Sequence, residues 1–128
     1  MSLKELQHNR MMAHLIDALD AGRSIGHYGR LVFTIVAYHF LHEGQVITLL
    51  AEDPECSEEE ARELYEQMRV NQYSPPTPEM IHEWQERQDY PICPDPIDPE
   101  VCNVYKDLKF PDGVYAHVAE YYEHPMMV

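Results

Sequence analysis

Basic residues are scarce in this sequence. Nine Lys and Arg stand against 23 Asp and Glu, a formal charge of −14 over 128 residues. Phosphate contacts need Lys and Arg, so the total argues against tight nucleic-acid binding. Cysteine is scarce as well, with three in the chain. The N-terminal "MSLKELQHNR" lacks the apolar core of a secretory leader. The expected location is therefore a reducing cytoplasm, and no disulfide is expected. No run of 18 apolar residues occurs, so neither a transmembrane helix nor a membrane partner is expected. Gly-x-Ser-x-Gly, a Walker-type phosphate loop and His-Glu-x-x-His are all missing. The chain is accordingly expected not to be an enzyme acting alone.

What is present points to helices. The length fits one domain over 1–128, and 45 % apolar residues suffice for a moderate core. Ser2 and Glu5 read as a capping box, and Met12, Leu15, Ile16 and Leu19 recur at helical spacing. With Gly22 as the stop, the first helix is expected from about Leu3 to Ala21. "RSIGHYGRLVFTIVAYHFLHEG" places Leu31, Val32, Ile35, Val36 and Phe40 on a wide apolar face, which predicts a central buried helix. A short helix from Gln45 to Ala51 follows. Ser57 with Glu60 opens a fourth helix, and Thr77 with Pro78 opens one running to about Gln88, with Met80, Ile81 and Trp84 on its apolar side. Pro91, Pro94, Pro96 and Pro99 make 89–100 a loop, with a short helical turn possible at Asp98-Pro99. A final helix in "PDGVYAHVAEYYE" turns Val114, Val118 and Tyr121 inward. The expected fold is all-α: a single compact domain of five or six helices with a proline-rich loop near the C-terminal third.

The charge is uneven. Residues 1–42 hold Lys4, Arg10, Arg23 and Arg30 against Glu5, Asp17 and Asp20, a net +1, which leaves −15 for the remainder. Five of the eight histidines fall in the same third: His8, His14, His27, His39 and His42. Within it, "IGHYGR" sets two glycines around His27 and Tyr28 at a helix start, with Arg30 in the first turn. Free N–H groups, a guanidinium fork and an imidazole suit an anion, and a tyrosine suits base stacking. The competing interpretation is a tight turn with glycines placed for packing and an arginine held in a salt bridge. His39 and His42, at i, i+3, can share a helix face and a metal, although a helix C-terminus favours such residues without one.

Cys93 and Cys102 stand nine apart, far from the paired Cys-x₂-Cys spacing of strong zinc sites. Small buried apolar residues are the alternative. A metal protein using Cys56, Cys93, Cys102 and a histidine is a further reading.

In order, the landmarks resemble the C-terminal, iron–sulfur domain of the archaeal and eukaryotic DNA primase large subunit. "IGHYGRLVF" is similar to that family's His/Tyr-x-Gly/Ala-Arg helix start. "AYHFL" and a short helix follow. "LLAEDPECSEEEARELYEQM" is similar to the segment around its acidic Asp-Phe-Asp-Glu stretch. "YSPPTPEMI" resembles Tyr-x-Pro-Pro-x-Cys-x-x-Met/Ile, and "YPICPD" resembles Gly-x-Cys-Pro. The resemblance spans roughly residues 10–105. It implies a helical domain whose four cysteines hold a [4Fe–4S] cluster. Cys93 and Cys102 match the third and fourth, but Met11 and Thr77 stand at the first and second. Neither replaces a thiolate well. No metal and no cofactor are therefore expected, with Cys93 and Cys102 as remnant ligands.

The function implied is non-catalytic. In the family this domain holds the template and the 5′-triphosphate of the initiating nucleotide for a separate catalytic subunit in primer synthesis. Carried over, the contact residues are His27, Tyr28 and Arg30, with Arg23 and Arg10 extending the surface. The implied partners are a catalytic primase subunit or polymerase, single-stranded DNA template, and a 5′-triphosphate nucleotide or primer. The alternative is an acidic helical protein–protein adaptor without nucleotide binding, whose face from Glu52 to Glu66 meets a basic surface.

Overall fold

A computed structural model describes residues 3–95 and 97–115. Its elements are α1 (Leu3–Leu6), α2 (Arg10–Asp20), α3 (Gly26–Ala37), α4 (Glu43–Leu50), α5 (Glu58–Asn71), α6 (Pro78–Gln85), a 3₁₀ turn (Pro99–Cys102) and α7 (Val104–Asp107). Among the described residues there is no strand, and α2 to α6 are the helices of more than one turn. The chain is all-α, as its periodicity predicts.

The caps sit where local chemistry puts them. Ser57 Oγ accepts from the Glu60 N–H, and Glu60 returns a carboxylate to the Ser57 N–H, closing the capping box of α5. Thr77 caps α6 by accepting from the Met80 N–H, and Pro78 takes the first helical position, where no N–H is needed. Gly22, at φ +71°, ends α2, and the Arg23 N–H reaches back to the Ala18 carbonyl. The 3₁₀ turn begins at Pro99 behind Asp98, whose carboxylate accepts from the Glu100 N–H.

Three expectations need correction. The first helix is broken into α1 and α2, because the Asn9 side chain accepts from the Met12 N–H and so starts a new helix. The central helix ends at Ala37, so His39 and His42 do not share a helix face; His42 is the N-cap of α4. Met80 lies on the groove side of α6 with Trp84 and is 40 % exposed. α6 stops at Gln85, short of Gln88, and α7 was not anticipated. The Ser2 cap, and Val118 and Tyr121 of the expected last helix, lie outside the described residues.

The core runs through α2, α3 and α4. Met11, Met12, Leu15, Ile16 and Leu19 of α2 are fully buried, as are Val32, Phe33 and Val36 of α3 and Val46 and Leu50 of α4. Removing that apolar surface from water is the main term holding the helices together. α5 lies on α3 and α4 and buries Ala61 and Met68. Its outer face is solvated, with Arg62–Glu58 and Arg69–Glu66 pairs that contribute little to stability. The 3₁₀ turn packs between α2 and α6. Asn9 fastens it by donating to the Val101 carbonyl at 3.5 Å and to Asp107 at 3.0 Å. His14 donates to the Pro91 carbonyl at 2.9 Å and stacks on Tyr90, tying the proline loop to α2.

Candidate functional site

The start of α3 is a crowded junction. Gly26 has φ +77°, a backbone shape that suits glycine, and the Gln88 amide lies 2.5 Å from where a Cβ would stand. That amide spans three backbone groups. Its oxygen accepts from the Tyr28 N–H at 2.8 Å, and its nitrogen donates to the Ile25 carbonyl at 2.9 Å and the Tyr90 carbonyl at 3.0 Å. Asp53, whose side chain is 0 % exposed, accepts from the Ile25 N–H at 3.0 Å and from Arg30 Nη1 at 2.9 Å. Ser24 Oγ donates to Glu55 and accepts from the Gly26 N–H. The N–H groups of Ile25, Gly26 and Tyr28, expected to be free for an anion, are thus bonded within the protein. The arrangement matches the packed turn and salt bridge weighed as the alternative.

The electrostatics of Asp53 are those of a built-in anion. Burial alone pushes its carboxyl up, but the N–H groups of Glu55 and Ile25 and the Arg30 guanidinium outweigh this and hold it below its ordinary 3.8. Arg30 is 15 % exposed and opens on one edge into a groove. Cys56 lines the same groove; burial pushes its thiol up, and the Arg30 charge opposes this. Arg23 and Arg10 are exposed on other turns of the chain. Arg23 acts electrostatically on Tyr90 and Arg10 on Asp95. Gly26→Ala strains the backbone and displaces the Gln88 amide. It is expected to cost roughly 1–3 kcal/mol, read as a lower urea midpoint with an unchanged slope.

His27 stays exposed, while Tyr28 is half-buried and stacked on Trp84 with ring centroids 5.8 Å apart. One tyrosine face is therefore taken by the protein's single tryptophan. Beside this pair runs a groove between α3, α5 and α6. Its apolar half, about 360 Å³, is walled by Leu31, Ile35, Leu64, Tyr73, Met80 and Trp84. It continues past His27 and Gln67 into a polar half of about 370 Å³ flanked by Arg30, Glu60 and Glu63.

A second cluster lies on the opposite face of α6 from Met80 and Trp84. One donor atom each from His82, Cys93 and Cys102 falls within 4.8 Å of the others. Cys93 and Cys102 are buried and His82 half-buried. His82 comes from α6, Cys93 from the proline loop and Cys102 from the 3₁₀ turn. His82 Nε2 faces Cys102 Sγ at 3.8 Å. Gln85 ties two of the three together: its oxygen accepts from the Cys93 N–H at 2.9 Å, and its nitrogen lies 3.3 Å from His82 Nδ1. The Cys93 thiol donates to the Asp95 carbonyl and the Cys102 thiol to the Pro99 carbonyl. Burial, reinforced by Cys93, pushes the Cys102 thiol up to about 12. Met11 is fully buried in the core, and Thr77 is spent on the α6 cap.

Sequence spacing pairs Cys93 with Cys102 but misses His82. That histidine stands in "PEMIHEW", five residues after Thr77, the N-cap of α6. The residues do not fit a [4Fe–4S] cluster, which takes four thiolates. The chain has three cysteines, and Cys56 lies beside Arg30 and Asp53 instead. No family model, no curated protein and no solved structure matches this chain.

Proposed function

We propose that the protein is a non-catalytic accessory module in primer synthesis, a helical domain of the primase-large-subunit kind that serves a separate catalytic subunit. One observation supports the reading. The segments that the resemblance makes cluster-bearing meet in one place, since the 3₁₀ turn carrying Cys102 packs against both α2 and α6, and Cys93 is bonded to Gln85 of α6.

The mode of action follows from the groove. A protein segment with an apolar face and flanking Lys or Arg suits it, because Trp84, Met80 and Tyr73 offer apolar contact and Glu60 and Glu63 offer the complementary charge. The occupant is accordingly a basic amphipathic segment of the catalytic subunit. A second reading keeps the family's grip on the 5′-triphosphate. It is favoured by His27 and Arg30 lining one cavity. The bonded N–H groups and the two flanking glutamates weigh against it.

Trp84 provides the test, being the only tryptophan and a wall of the groove. Its emission is followed while the host's catalytic primase subunit, made without tryptophan, is added. A parallel titration uses a primed template carrying a 5′-triphosphate or a 5′-hydroxyl. The expected result is a saturable change with the subunit, weakened by salt and by Glu60→Lys/Glu63→Lys. A response to the triphosphate alone would select the second reading, and no response to any of them would reject both.

A further inference from the structure

We propose that His82, Cys93 and Cys102 form the binding site for a single zinc ion. The family that the sequence resembles calls for a four-cysteine iron–sulfur cluster, which these residues cannot supply, and with Met11 and Thr77 in place of two of those cysteines no metal is expected from the resemblance. The folded chain identifies the histidine of the metal reading as His82 and leaves Cys56 out of the group.

Geometry carries the argument. In a tetrahedral zinc site with bonds of about 2.3 Å to sulfur and about 2.1 Å to nitrogen, a sulfur and a nitrogen ligand stand about 3.6 Å apart. The His82 Nε2 to Cys102 Sγ distance is 3.8 Å, and all three donor atoms lie within 4.8 Å of one another. Two thiolates with an imidazole are a donor set that selects zinc over magnesium or calcium, which prefer oxygen. On binding, each thiol releases its proton to solvent, and the two thiolates neutralise the dication. Among the described residues no carboxylate, cysteine or histidine joins as a fourth donor, so that position falls to water or to a group from a partner.

The surroundings suit such a site. Gln85 touches the backbone of one ligand and the far ring nitrogen of another, which fixes both without being a ligand itself. The three donors belong to three separate segments, and the described residues of 86–98 contain no regular element. A single ion would therefore fasten α6, the proline loop and the 3₁₀ turn to one another.

The test is metal analysis of the full chain, grown with zinc and purified without chelator. About one zinc per chain is expected. Cys93→Ser/Cys102→Ser and His82→Gln should each lose it, Cys56→Ser should keep it, and circular dichroism should show whether each variant stays helical. Gln85→Leu should keep the stoichiometry but weaken affinity about 10-fold to 100-fold in a chelator competition. Where a variant fails to fold, cobalt added to the metal-free wild-type chain decides. A thiolate-to-cobalt charge-transfer band that zinc removes supports the site. Absence of that band would overturn it, as would full zinc content in the double cysteine variant, or iron with acid-labile sulfide in place of zinc.

Discussion

Asp53→Ala is expected to lower the unfolding free energy by roughly 3–5 kcal/mol, the loss typical of breaking a buried ion pair from one side. The carboxylate is fully buried and bonded to Arg30 and to the N–H groups of Ile25 and Glu55. Its removal strands a guanidinium that is 15 % exposed and at least one buried N–H. For a domain whose total stability is about 5–15 kcal/mol, this is a large part. Arg30→Ala is expected to destabilise for the mirror-image reason, so this variant does not isolate nucleotide binding from folding. Arg30→Leu/Asp53→Leu together should cost less than the sum of the two, since neither charge is then left alone. The pH dependence has a definite sign. The folded-state carboxyl lies below its ordinary 3.8. Its contribution is therefore complete above about pH 4 and is lost as the pH falls through the folded value. Urea midpoints from pH 7 to pH 3 should fall at the acid end in the wild-type chain and show less of that fall in Asp53→Asn.

Phe33→Ala should cost a similar roughly 3–5 kcal/mol, for a different reason. Phe33 is among the largest fully buried side chains and sits mid-way along α3, the helix flanked by α2, α4, α5 and α6. Truncation opens a cavity that four neighbouring helices cannot all close. Urea unfolding should show a much lower midpoint with an unchanged slope, and Phe33→Leu should recover a good part of the loss. An exposed position gives the contrast: Val70, 64 % exposed at the end of α5, should change little on truncation.

The two substitutions also mark what could be read from sequence. Phe33 belongs to a run whose spacing of apolar residues predicts a buried helix. The caps at Ser57 and Thr77 are legible for the same reason, since a side chain bonding an N–H three residues on is local chemistry. Asn9 shows the limit of that approach: it interrupts an apolar pattern that by itself runs on unbroken, so the break between α1 and α2 goes unseen. The candidate sites depend on longer reach. Arg30 meets Asp53 across 23 residues, and Gln88 meets Tyr28 across 60, so a helix start that looks open in sequence is filled in the fold. His82 and Cys102 meet across 20 residues, through a proline loop whose path no local rule fixes. What periodicity and caps could not supply is which distant side chains close each site.

We propose that this helical module docks a catalytic primase subunit along the groove beside Trp84, and the most direct test is the Trp84 emission titration with that subunit. The account predicts a saturable change, weaker at high salt and weaker again in Glu60→Lys/Glu63→Lys, with no preference for a 5′-triphosphate over a 5′-hydroxyl template. An emission that stays flat with the subunit, while the protein remains folded, would contradict it.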